Sequence, residues 1–218
     1  KVGDFLSLVR DDFPAPIVAA IINNEIHELT YPIKVESNCA PVTMDTADGA
    51  RIYRRSLVFL LEAAFSRCFQ EGYLIVDYSV SSGGISALEA YMRALVKEDR
   101  AFERREAPIQ EAIEYFATHG HEDKLRLLKH RRKEYLTLYT LDGHMDYMHG
   151  YMVPSTGCLQ WFAFKKVDGG FIMQYPRRHA PTTLGPLGDY PKLIRAFRQY
   201  GDWLETLRID NAGALNDA

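Results

Sequence analysis

Cysteine is scarce in this chain of 218 residues: Cys39, Cys68 and Cys158 are odd in number, far apart, and form no Cys-x-x-Cys. That excludes a disulfide framework and a zinc ribbon, and it suits a reducing, cytoplasmic setting. Long apolar runs are also missing. Ile17 to Ile22 is the longest, far too short to cross a bilayer, and no charged-then-apolar leader opens the chain. There is no strong charge of either sign, the net value being −3 and the isoelectric point about 6.2, so any RNA contact has to be a local patch. Finally, no G-x-x-x-x-G-K-[ST] occurs, which excludes a Walker-type nucleotide site within these residues.

What is present is a globular composition, 47% hydrophobic and 25% charged, long enough for two small domains with cores of their own. Gly143-His144-Met145-Asp146-Tyr147-Met148-His149-Gly150-Tyr151-Met152-Val153-Pro154-Ser155-Thr156-Gly157 is the run around which the rest is organised. A strand pattern, Tyr135 to Tyr139, precedes it; Leu159 to Lys166 and Phe171 to Tyr175 follow, turned by Asp168-Gly169-Gly170. Two histidines and an aspartate framed by strands mark the mouth of a sheet, where loop side chains can be aimed at one point.

In chain order, Gly3 to Val9 predicts a short helix stopped by Phe13-Pro14. Ile17–Ile22 and Glu25 to Leu29 predict a hairpin turned at Asn23-Asn24, with further strands at Pro41 to Asp45 and Arg51 to Tyr53. Arg54 to Phe69 has the three- and four-residue spacing of an amphipathic helix, and Phe59 extends its buried face. Leu74 to Val80 predicts a strand, Ser81 to Gly84 a turn, and Ile85 to Asp99 a helix; Phe102 to Ala107 predicts a strand, and Pro108 opens the next helix. The basic run Lys129-His130-Arg131-Arg132-Lys133 is read as a solvated hairpin edge rather than an RNA face. After Tyr175 a proline- and glycine-rich arm leads to a last helix, Tyr190 to Leu207. Lys1 at the start and the unstructured pattern of Asn211 to Ala218 lead us to expect a piece of a longer protein.

The frame Asp-x-x-x-Gly-x-x-Val-Pro-Ser-Thr-Gly from Asp146, with Phe102-Glu103-Arg104-Arg105-Glu106 and Glu111 to Phe116 before it, resembles the second additional domain of threonyl-tRNA synthetases. The resemblance covers Ser56 to Tyr175 and implies an α+β editing domain for mischarged tRNA. It also implies a cleft with a His-x-x-x-His pair on a helix and a Cys-x-x-x-His pair in the run. Those four positions fall here on Arg55, Phe59, Met148 and Met152. A guanidinium has no lone pair to offer, a phenyl ring has no donor atom, and thioether sulfur is a poor zinc ligand. No metal is therefore expected at them. Lys124 and Asp146 do match the synthetase pattern. The candidate cleft residues are Arg55, Phe59, Lys124, Asp146, Met148, His149, Tyr151 and Met152.

Residues 1–53 resemble a TGS domain, a ubiquitin-like β-grasp module, which the same synthetases place before their editing domain. The expected order is thus a TGS-type unit at 1–53, an editing-like α+β domain at 54–176, and a linker with a C-terminal helix at 177–218. The tail, with Gln174-Tyr175-Pro176-Arg177 and Asp189 to Leu193, resembles instead the N-terminal half of bacterial nucleoside kinases of the uridine kinase and phosphoribulokinase-like type. That implies a non-catalytic accessory region that binds a small ligand and precedes a kinase domain. ATP and Mg are then cofactors of that kinase domain alone, and none is expected here. The alternative is an aminoacyl-tRNA editing hydrolase working without the family's His and Cys groups, with His149 or His144 as general base. A homo-oligomer built through the last helix and the apolar cleft is the third reading.

Overall fold

The structure is a computed structural model and describes residues 1–69, 84–167 and 170–207. The expected strand Leu74 to Val80, the first three residues of its turn (81–83), and the tail from Asn211 lie outside the described residues. The chain divides into two compact units, Lys1–Glu103 with Thr140–Leu187, and Arg104–Tyr139 with Gly188–Ala218.

The first unit opens with α1 (Val2–Leu6), a 3-10 turn (Ser7–Asp12), and a three-stranded antiparallel sheet in the order β2 (Glu25–His27), β1 (Ile17–Ile22), β3 (Cys39–Thr43). Asn23 and Asn24 turn the β1–β2 hairpin with φ of 49° and 71°, a left-handed conformation that asparagine tolerates. Val2, Leu6, Ala20 and Ile22 form a small core on one face of this sheet.

Next comes α2, Ala47–Cys68, capped by the Thr46 hydroxyl, which accepts the Gly49 N–H at 3.0 Å. The strand expected at Arg51 to Tyr53 is therefore corrected. The cap at Thr46 starts a helix, and Ile52, Tyr53, Ser56, Leu57 and Leu60 recur at helical spacing on its buried side. The helix α3 (Ile85–Glu98) buries Leu88, Met92 and Leu95. Further along, the polar run is not all loop: His144–Tyr147 is a strand, β6, entered through the positive-φ pair Asp142 and Gly143. The strand expected from Leu159 begins only at Ala163, as β7 (Ala163–Val167), paired antiparallel with β8 (Gly170–Gln174).

The second unit holds β4 (Glu103–Pro108, its first residue in the other unit), α4 (Ile109–Thr118), α5 (Glu122–Lys129), most of β5 (Tyr135–Leu141), and α6 (Pro191–Thr206). Here the sequence reading missed α5: Lys129, the first residue of the basic run, ends that helix, and His130, Arg131, Arg132 and Lys133 lie in the connection to β5, so the run is not the hairpin edge expected. The architecture is a mixed α+β fold with small sheets. Among the described residues no helix is long and apolar enough to cross a membrane.

Candidate active site

Helix α2 places Arg55, Phe59 and Glu62 on one face, because spacings of four and three residues return to the same side. That face packs against β6. On β6, His144 and Asp146 are two residues apart and so point to the same side of the strand. The ligand atoms of Glu62, His144 and Asp146 all lie within 4.8 Å of one another. Asp146 is buried, 5% exposed, whereas Glu62 and His144 are half-buried. The imidazole of His144 packs on Phe59, centroids 5.3 Å apart, and Phe59 also meets Phe102 edge-on. One oxygen of Asp146, Oδ1, accepts the Tyr147 N–H at 2.7 Å.

Beyond β6 the run is pinned one residue at a time. Arg55 Nη1 donates to the Tyr151 carbonyl at 2.6 Å; the Met152 N–H donates to Glu28 Oε1 at 3.0 Å; the Val153 N–H donates to Ser56 Oγ at 3.0 Å. Ser56 in turn donates to the Ile52 carbonyl. Further on, the buried Thr156 hydroxyl donates to the Leu95 carbonyl and accepts the Arg100 N–H. These bonds tie the stretch after β6 to α2 and α3, so Val-Pro-Ser-Thr-Gly is structural at this point.

Of the residues chosen from sequence, Arg55 meets the Tyr151 carbonyl, Phe59 and Asp146 both lie beside His144, and Met152 is held by Glu28. Met152 is fully buried and Met148 half-buried, while His149 is exposed, its ring edge-on to Tyr147. Lys124 belongs to the second unit, with its ammonium 5.4 Å from the centre of the Phe116 ring. Glu62, Glu28 and Ser56 were missed. Glu62 lies three residues past Phe59 on the same helical face, and that spacing was the available signal. Glu28 sits 124 residues from its partner and left none.

The four positions where the synthetase pattern carries imidazoles and a thiol do not fit a metal here. Arg55 is engaged with Tyr151, Phe59 fills the core, and the thioethers of Met148 and Met152 are unsuited to zinc. Elsewhere in the first unit, a cavity of about 620 Å³ is lined by Leu6, Arg10, Lys97, Cys158 and Trp161 among others, and by none of the residues chosen from sequence.

No protein-family model matches the chain. Among curated proteins, it is 28% identical over 168 residues to threonine–tRNA ligase 2 of Bacillus subtilis, covering 70% of this chain and 26% of that protein. It is 30% identical over 171 residues to threonine–tRNA ligase of Lactococcus lactis, covering 71% and 26%, and 30% identical over 186 residues to that of Laribacter hongkongensis, covering 78% and 29%. The chain spans about a quarter of the length of the curated relatives it matches. Its homologues are thus threonyl-tRNA synthetases over some 70% of its length. This overturns the expectation of an accessory region of a uridine or nucleoside kinase, for which the comparisons offer no support.

Proposed function

We propose that the chain is an editing-type module whose α2–β6 cleft hydrolyses the ester linking an amino acid to a mischarged tRNA. The observation that carries this reading is the gathering of His144 with Glu62 and Asp146 inside 4.8 Å, where α2 packs on β6. An imidazole and two carboxylates are groups that accept a proton from water near neutral pH. The attacking water is activated at this cluster. Its oxygen adds to the ester carbonyl, and collapse releases the amino acid and returns the proton to the ribose oxygen. The guanidinium of Arg55 and the Tyr151 backbone it holds form the rim against which the substrate end is placed. Similarity to threonine–tRNA ligases supports the substrate class. We place residues 1–53 as a TGS-like β-grasp unit in the same scheme.

The test is deacylation of threonine-accepting tRNA charged with a non-cognate amino acid, using the whole chain. Wild type should release the amino acid, and His144→Ala should slow release about 10²–10⁴-fold, the usual contribution of a positioned proton acceptor. A wild-type rate equal to spontaneous hydrolysis, or a His144→Ala rate equal to wild type, would overturn the reading.

A further inference from the structure

We infer that Glu62, His144 and Asp146 bind a divalent cation of the zinc class, at positions distinct from the four of the synthetase pattern. The inference deepens the proposed hydrolysis by naming what the cluster holds, and it rests on that reading only for the part the cation would play in the reaction.

The donor set is one imidazole nitrogen and two carboxylate oxygens from two packed elements, all within 4.8 Å. Bonds of about 2.0–2.2 Å in a tetrahedral centre put neighbouring donors roughly 3.4 Å apart. The remaining closure can come from rotation of the Glu62 side chain, the longest of the three, with no movement of α2 or β6. A set with nitrogen and oxygen but no sulfur suits zinc or its first-row neighbours better than copper(I).

The surroundings bear on the donors. The Phe59 ring packs against the imidazole, and the Tyr147 N–H engages one oxygen of Asp146. Three protein ligands leave a fourth position open, and a water there would be acidified toward neutral pH, which is the chemistry a zinc-class ion supplies to ester hydrolysis.

The experiment is titration of the whole, chelator-treated chain with Zn²⁺ by calorimetry and with Co²⁺ by visible absorption. We expect one equivalent, with the intense visible band of four-coordinate cobalt. Glu62→Gln, nearly isosteric at a half-buried position, should weaken binding about a hundredfold or more, as should His144→Ala, while His149→Ala should leave it unchanged. Absence of that equivalent, or its persistence in Glu62→Gln of native circular dichroism, would overturn the site. Cation binding without deacylation would uphold the site and sink the hydrolysis reading. Deacylation by a metal-free protein that takes up no equivalent of Zn²⁺ would sink the site and uphold the hydrolysis.

Discussion

The imidazole of His144 lies against the phenyl ring of Phe59, centroids 5.3 Å apart and planes at 60°. Where the synthetase pattern has a helix histidine, this chain has an aromatic wall, and the polar groups stand one turn further along α2 and at the start of β6.

Phe59 is fully buried and also touches Phe102. Phe59→Ala should therefore cost about 3–5 kcal/mol by chemical denaturation, the range for a large core ring lost to a cavity. It should also shift the His144 ring signals in NMR, since the aromatic ring packed against them is gone. A loss under about 1 kcal/mol would show that the ring is not packed as described.

Ser56→Ala should cost about 1–3 kcal/mol, because it removes the hydroxyl that accepts the buried Val153 N–H and leaves that donor without it. The local readout is amide exchange. Val153 should exchange faster in the variant, while amides in α6, which belongs to the other unit, keep their protection. Unchanged exchange at Val153 would mean the hydroxyl does not hold the run.

Much of this frame was legible before the structure. Asn23-Asn24 announced the hairpin because few other residue pairs accept two left-handed conformations, and the apolar spacing of Leu57, Leu60, Leu61 and Ala64 announced α2. Ile52-Tyr53 was misread as strand because a short apolar pair has no period of its own, and the Thr46 cap that decides the matter lies six residues earlier. His144–Tyr147 was read as loop because its flanking glycines outweighed a four-residue pattern. The site was half legible. Asp146 and the α2 face were found by their match to the synthetase pattern, but Glu62 stands outside that pattern, and the Glu28 contact joins residues that no local rule connects.

Gly49 offers a test of sign. Alanine normally stabilises a helix by about 1 kcal/mol over glycine, yet a Cβ at Gly49 would collide with the Thr43 carbonyl oxygen, which is backbone and cannot step aside. Gly49→Ala should thus lower the melting temperature. Gly201→Ala, in α6 with nothing near its added Cβ, should leave it unchanged or raise it. A stabilising Gly49→Ala would contradict the packing of β3 on the start of α2.

Cys158 predicts a pH dependence. Burial pushes its thiol up, and hydrogen bonding to Ser155 offsets only part of that. At about pH 8, near the ordinary thiol range, Cys158 should hold its proton and alkylate more slowly than the exposed Cys39, the gap narrowing as pH rises toward the raised value. The sign for stability follows. Because the folded-state pKa is the higher one, the protonated thiol favours the fold at pH below the unfolded value, and this contribution is lost as pH rises through the folded one. Peptide mass spectrometry after timed iodoacetamide labelling checks it, and equal rates for Cys158 and Cys39 at about pH 8 would show that the Cys158 thiol is not shielded by its burial.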